Sequence, residues 1–433
     1  MKFARAILLL VVLASRVAVG QSAQQLPAAP KEENIQDLIE EALARNPEIG
    51  VEMYRIEAAR RHVPQAGALM DPELNFKLME IPGTDLNKAM YANIELMQVI
   101  SFPTKLIAQK SIAELLTEHA HHQHMETVLG VVADVKAALA AVWFGRKSQE
   151  INESDKVLLT KILRATETAY TVGKASQQEI LRTNIEIAQL GINEEKIRGQ
   201  VMAAESKLRT LLNRPATMPI GRFDVSGQPL ALPSVDLLLD YAHENKPMLI
   251  HDSLNVLEKQ LNVGLMKKEF LPDFKFALEY VRMPVLMENR WSVSAGITLP
   301  FAPWTSAKNS SKIQEAEAEE LMQSSMYTAS KNANENEIRS GYASLQAIGK
   351  QMLAIQNSIL PQLRQSIQLL LTEYETGKTS YLMLLDGYRM YNDMQLEYAM
   401  AIMNYQETLA SLERSVGVTD LQYLASFKKE NHQ

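Results

Sequence analysis

Tyr170-Thr-Val-Gly-Lys-Ala-Ser176 returns as Tyr374-Glu-Thr-Gly-Lys-Thr-Ser380, 204 positions further along the chain. Upstream of each lies a second matching pair, Leu38-Ile-Glu-Glu-Ala-Leu-Ala-Arg-Asn-Pro-Glu-Ile49 and Leu238-Leu-Asp-Tyr-Ala-His-Glu-Asn-Lys-Pro-Met-Leu249, at an offset of 200. The same offset carries Pro72 onto Pro272, Glu73 onto Asp273, Phe76 onto Phe276 and Leu78 onto Leu278. So small a drift between the two offsets marks two copies of one unit. The chain divides into a first repeat over 34–212, a linker with Pro and Gly over 213–233, and a second repeat over 234–424. A flexible segment over 21–33 precedes them and a tail over 425–433 follows.

Within each copy the hydrophobic period changes twice. An amphipathic helix is expected over roughly 34–62 and again over 235–268. Next come strand hairpins over 73–100 and 273–300. Leu74, Phe76 and Leu78 alternate with polar residues, as do Ala92, Ile94 and Leu96; Phe274, Phe276, Leu278 and Tyr280 then share one face, as do Trp291, Val293, Ala295, Ile297 and Leu299. Period two with one polar face describes a half-buried strand. Strands of about 9–11 residues cross a bilayer at a tilt, and Tyr91, Tyr280 and Trp291 stand near their ends, where interfaces favour aromatic rings. Ordinary soluble hairpins would show the same alternation. No proline lies between Pro103 and Pro215, so a helix from Thr104 to about Tyr170 runs roughly 100 Å at about 1.5 Å per residue. Its counterpart runs from Thr305 to Tyr374, with Pro361 as a kink. Apolar residues step by threes and fours through Leu158, Ile162 and Ala165, and through Met394, Tyr398, Ile402, Tyr405 and Leu409, which is coiled-coil spacing. At Gly173 and Gly377 each helix turns and a partner runs back.

Composition agrees with a mainly helical chain carrying a small β part. Its 433 residues are 46% hydrophobic, 6% aromatic and 22% charged, with only 18 Gly and 17 Pro. A cysteine count of zero removes disulfides, thiolate metal sites and a cysteine-borne lipid. After the N-terminus no run of 18 apolar residues occurs, so no spanning helix is expected. Residues 1–20 read as a signal peptide: Lys2 and Arg5, an apolar run from Ile7 to Ala14, and Ala18-Val19-Gly20 before the cut. A cytosolic N-terminal helix is the alternative. Loss of Lys2, Arg5 and Arg16 takes the net charge from −7 to −10, a balance suited to cations and poorly suited to nucleic acid. Four strands leave two open edges, which a bilayer does not tolerate, and the smallest barrels need eight strands. At least two chains must therefore share a barrel.

These features together resemble the TolC-type outer-membrane efflux family. The residues that carry the resemblance are Ala42-Leu-Ala-Arg-Asn-Pro47, the strand exit Gln98-Val-Ile-Ser-Phe-Pro-Thr-Lys105 and the two Tyr-x-x-Gly-Lys-x-Ser turns, and it spans about Leu38 to Leu424. The resemblance implies a homotrimer whose twelve-stranded β-barrel lies in the outer membrane and continues as a periplasmic α-barrel. Such channels are passive conduits, fed by a periplasmic adaptor and an inner-membrane pump. By position, Val172, Gly173, Lys174, Thr376, Gly377 and Lys378 become the adaptor-docking tips. They also read simply as hairpin turns that need positive φ. Tyr374 and Glu179 occupy the positions of a polar link that holds the closed pore, Thr379 replaces an arginine found in some members, and Asp386 retains one of two aspartate positions that ring the gate. A trimeric carboxylate ring attracts cations. Asp386, Arg389 and Asp393 equally suit a solvated helix face with i, i+3 ion pairs.

Four of the eight histidines fall in Glu118-His-Ala-His-His-Gln-His-Met125. On a helix His121 pairs with His124 and Met125, and His119 with His122, a donor set suited to copper, silver, zinc or nickel. The window is expected one to two turns below the barrel mouth; a polar outer helix face is the other reading. The 21 methionines, Met283, Met287, Met383, Met390 and Met394 among them, lean mildly toward metal. Thr376-Gly-Lys-Thr-Ser380 fails as a phosphate loop, because position 372 is Thr rather than Gly and the stretch follows a helix. Nothing argues for an enzyme or a cofactor. The expected function is an outer-membrane exit duct, with metal cations as the favoured cargo. Organic toxicants or peptides, a non-pore periplasmic coiled-coil protein and a histidine-based metal buffer are the alternatives. Metal-exporting members often carry an N-terminal lipid-bearing cysteine, which this chain lacks.

Overall fold

Pro47 and Pro247 decide how each repeat begins. A residue before proline is pushed out of the helical region, and Asn46 (φ −65°, ψ 125°) and Lys246 (φ −64°, ψ 115°) are extended. The single amphipathic helix expected at the head of each repeat is therefore two: α1 (Ile35–Arg45) and α2 (Pro47–Ala66), then α5 (Val235–Asn245) and α6 (Pro247–Lys268). Each proline sits at the first helical position, where its missing N–H costs nothing. The computed structural model describes residues 32–422 and Leu424, apart from 82, 85, 87, 88 and 284–287. The expected signal peptide, most of the 21–33 segment, Met287 and the tail over 425–433 lie outside these residues.

Strands β1 (Glu73–Met79), β2 (Tyr91–Ile100), β3 (Phe274–Met283) and β4 (Glu288–Ile297) form one antiparallel sheet in the order β1-β2-β3-β4. The two repeats meet at the β2–β3 pair, and β1 and β4 are its edges. Register lines up Leu74, Leu96, Leu278 and Val293 in one row, and Phe76, Ile94, Tyr280 and Trp291 in the next. On the other face Asn75, Glu95, Glu279 and Ser292 share a row, and Lys77 pairs with Glu95 at 3.0 Å. The apolar face is bare: Phe76 is 71% and Val293 79% exposed.

Helix α3 (Pro103–Thr171) and the run α7 (Pro303–Ala354), a π-helical turn (Ile355–Ile359) and α8 (Leu360–Glu375) descend from the sheet. Return helices α4 (Gln177–Leu211) and α9 (Tyr381–Val416) follow the two glycine turns. Pro361, expected as a kink, is met by that π-helical turn, which rearranges the backbone bonding just where proline cannot donate. Three cores result. In the first, Leu38 and Ala42 of α1 pack on Val131–Val142 of α3 and on Leu208 and Leu212. In the second, Leu238 and Ala242 of α5 pack on Ile338, Leu345, Tyr405 and Leu412. Leu38, Ala42, Leu238 and Ala242 are each at most 1% exposed, so the sequence repeat is a repeat of packing. The third gathers Leu159, Ile162, Tyr374, Tyr381, Leu384 and Tyr388 near the turns. Helix α3 holds an 18-residue window of mean hydropathy 1.7, long and apolar enough to cross a membrane, with 56% of it buried inside the chain. Its valine-rich middle is core.

A buried ion pair joins sheet to helices. Lys105, 5% exposed, reaches Asp273 at 3.0 Å, and Asp273 also accepts from the Phe102 N–H at 2.9 Å while its own N–H donates to Thr298 Oγ1 at 2.8 Å.

Candidate gate and docking tip

Both turns close as Schellman motifs. Gly173 (φ 74°) and Gly377 (φ 76°) take the left-handed conformation, and the N–H groups of Lys174 and Lys378 donate to Ala169 O and Glu373 O at 2.8 Å. The two tips are adjacent: a Cβ on Gly377 would lie 3.9 Å from Lys174 Nζ. Val172 is 64% exposed, and Lys174, Thr376 and Lys378 are exposed around it. A groove of about 510 Å³ runs up from the tips between α3 and α8, lined by Lys161, Arg164, Ala169, Val172, Lys174 and Tyr374.

Inside this end, polar links tie the first repeat to the second. The Tyr374 hydroxyl donates to Glu179 Oε2 at 3.0 Å, and Thr183 and Tyr381 share a 2.9 Å bond. Burial, with the neighbouring Glu179 carboxylate adding, pushes the Tyr374 phenol up to about 12, so it stays a donor. Among the described residues Thr379 Oγ1 turns to Met383 Sδ at 3.6 Å, within its own repeat. Asp386 is exposed on a groove of about 580 Å³ with Arg182, Glu186, Met383 and Arg389. The ion pair drawn along α9 from Asp386 through Arg389 to Asp393 is replaced by one across helices, because Arg389 pairs with Glu186 of α4. That guanidinium and Arg182 line the same groove as Asp386.

The histidines lie farther from the sheet than expected. His119 is 16 residues into α3, about 24 Å at roughly 1.5 Å per residue, or more than four turns, because α3 starts at the strand exit itself. They do not converge. His119 is 7% exposed and packs edge-on against His251 of α6 at 4.9 Å between ring centroids. His121 contacts Arg60 at 3.1 Å, His122 and His124 are half-buried, and Met125 is 51% exposed. Burial, helped by His251, lowers the affinity of His119 for protons, and burial does the same for His122. Both are neutral imidazoles at pH 7. Among the described residues no three His, Cys, Asp or Glu side chains are placed to hold a metal ion. His251 was invisible to sequence reasoning, since only the packing of α6 on α3 brings it to His119.

A duplicated chain of long helical hairpins hung from a sheet with one lipid-suited face defines a channel-forming outer-membrane protein. The chain belongs to the outer membrane efflux protein family, whose profile matches residues 38–214 and 238–418. Family members are passive channels rather than enzymes, with strands in the outer membrane and long helices in the periplasm. The chain is similar to the cobalt-zinc-cadmium resistance protein CzcC of Cupriavidus metallidurans, 20% identical over 94% of this chain and 96% of that one. In structure it is similar to CusC (TM-score 0.76, 17% identity, 92% of this chain and 96% of that one). It is also similar to VceC of Vibrio cholerae (TM-score 0.73, 16% identity, 89% and 96%).

Proposed function

We propose that three copies of this chain close a twelve-stranded barrel whose lumen continues through the long helices as a periplasmic exit duct for metal cations. The carrying observation is the sheet: one apolar face, one polar face, and unpaired edges at β1 and β4. A bilayer requires those edges to be paired, and four strands cannot close a barrel alone. The apolar rows then meet lipid and the Asn75–Glu95–Glu279–Ser292 row faces water.

A periplasmic adaptor, itself loaded by an inner-membrane pump, docks on Val172-Gly173-Lys174 and Thr376-Gly377-Lys378. Those backbones lie at the extreme end of the hairpins with Val172 open to a partner. Tyr374 and Glu179 hold the gate closed, and Asp386 from three chains rings it with carboxylates that attract cations. Thr379, whose hydroxyl contacts Met383 Sδ, belongs to the same candidate gate. The favoured cargo is divalent cations of the kind named in the CzcC relative, and neutral His119 and His122 are in the form that ligates such ions. The absence of a three-ligand group among the described residues favours organic toxicants as the second reading.

A susceptibility panel on a deletion strain separates them, with copper, silver, zinc, nickel and cobalt set beside dyes, detergents and antibiotics. Sensitivity confined to metals, restored by the wild-type chain and not by one with His119, His121, His122 and His124 changed to Ala, is the expected result. Sensitivity to organic compounds alone would overturn the metal cargo and keep the channel.

A further inference from the structure

At the upper end of the tip core lies a carboxylic acid that neither the gate nor the docking surface uses. Asp155 of α3 is 1% exposed, one helical turn above Leu159. The Asn392 side chain of α9 donates to it, and among the described residues no cation pairs with it. It borders a cavity of about 320 Å³ between α3, α4 and α9, whose other polar lining includes Asn152, Asn193, Lys196 and Asn392. An ionised carboxylate buried without a cation is costly, whereas a neutral carboxyl bonded to a side-chain amide is not.

Among the described residues none of the surrounding charges pairs with Asp155. From α9 come Tyr388, Arg389, Tyr391 and Asp393: Arg389 is held by Glu186 of α4, and Asp393 is exposed and carries the same sign as an ionised Asp155. Arg364 of α8 contacts the Tyr391 hydroxyl at 3.4 Å. Lys196 of α4 lines the cavity but is itself exposed.

We propose that Asp155 and Asn392 form a proton-controlled latch between the two repeats, closed when Asp155 is neutral and loosened when it ionises beside Asp393. The inference rests on the channel reading for its consequence: the latch sits about 16 Å above the Tyr374 level on α3 (11 residues at about 1.5 Å each, measured to Thr166), so its release frees α9 where the gate helices leave the common core. Burial, with Asp393 adding, raises Asp155 from the ordinary 3.8 to about 7. The sign follows. A raised pKa in the packed state means that the closed packing has its full stability below the ordinary carboxylate value and loses it as pH rises through about 7, through desolvation of the carboxylate and repulsion by Asp393. An acidic periplasm keeps the latch shut; a neutral to alkaline one relaxes it.

The chain has no cysteine, so spin labels can be placed without removing any native thiol. Labels at Val157→Cys on α3 and Met390→Cys on α9, positions 52% and 53% exposed, report the separation in the purified full-length protein between about pH 5.5 and about pH 8.5. The separated population is expected to grow by up to about thirtyfold across this window, about tenfold for each pH unit between about 5.5 and about 7. Asp155→Asn should hold the acidic distribution at every pH. A wild-type chain that does not shift, or an Asp155→Asn variant that shifts like the wild type, overturns the latch. Should Asp155→Asn fail to assemble, Asp393→Asn decides: a midpoint moved to lower pH supports the latch, because ionisation there meets repulsion only with Asp393 charged, and an unmoved midpoint refutes it. Bilayer conductance of the same preparation separates the two readings. A distance shift without conductance removes the channel and leaves the latch, and conductance without a shift does the reverse.

Discussion

Replacing Tyr374 by Phe tests whether the tip is held by its hydroxyl. The ring is 7% exposed and lies edge-on to Tyr381 at 6.3 Å, so Phe keeps the packing and removes the hydroxyl, and with it the 3.0 Å bond to Glu179 and the neighbouring contact with Thr166. A hydrogen bond to a charged acceptor contributes about 1.5–3 kcal/mol, and the half-exposed Glu179 argues for the lower figure. Loss of about 1.5 kcal/mol shifts closed against open by roughly tenfold in each chain. If three chains open in concert, the terms add to about 4.5 kcal/mol, or roughly a thousandfold. Single-channel recording in planar bilayers reads the open fraction directly, with Glu179→Gln and the double variant completing a cycle. The two single changes should each raise the open fraction and the double should add little. An open fraction within about threefold of wild type, or strict additivity in the cycle, would refute the assignment of Tyr374 and Glu179 as a closing link.

Other consequences follow from the sheet and its junctions. Val293→Arg places a charge on the bare apolar row, and barrel stability in lipid should fall by about 2–4 kcal/mol near the bilayer middle, read from urea unfolding in vesicles; an unchanged midpoint would mean that this face does not meet lipid. Lys105→Met strips Asp273 of its cation where sheet meets helix; with Asp273 about a quarter exposed, the loss should be about 2 kcal/mol, and the double change with Asp273→Asn should recover part of it. Gly417→Ala should lower the melting temperature by an amount matching about 1–3 kcal/mol, because φ is 91° and a Cβ would meet Lys246 Cα at 3.0 Å; an unchanged value would show that the backbone yields there.

The repeat, its helices and its strand pairs were legible because duplication and period act locally. Leu38 with Leu238 and Gly173 with Gly377 stand at fixed offsets, and a two-residue alternation states which face of a strand is apolar whatever the strand pairs with. The break at Asn46-Pro47 was equally local and was still missed, since the amphipathic stripe runs through it in the sequence while the backbone turns. Tyr374 against Glu179 came only through the resemblance; the atoms are 195 residues apart, and no spacing rule joins them. His251 beside His119 and Asn392 beside Asp155 had no signal at all.

The sequence by itself determined the duplicated plan, the two glycine turns and the apolar face of each strand, because each follows from bond geometry or hydrophobic period within a short window. Tertiary structure alone decided which charges are paired and which acid is stranded. Arg389 takes Glu186 across helices rather than a neighbour on its own, and Asp155 is left uncharged company in the core. Helix packing sets those outcomes at distances of a few ångströms, over separations along the chain where periodicity carries no information.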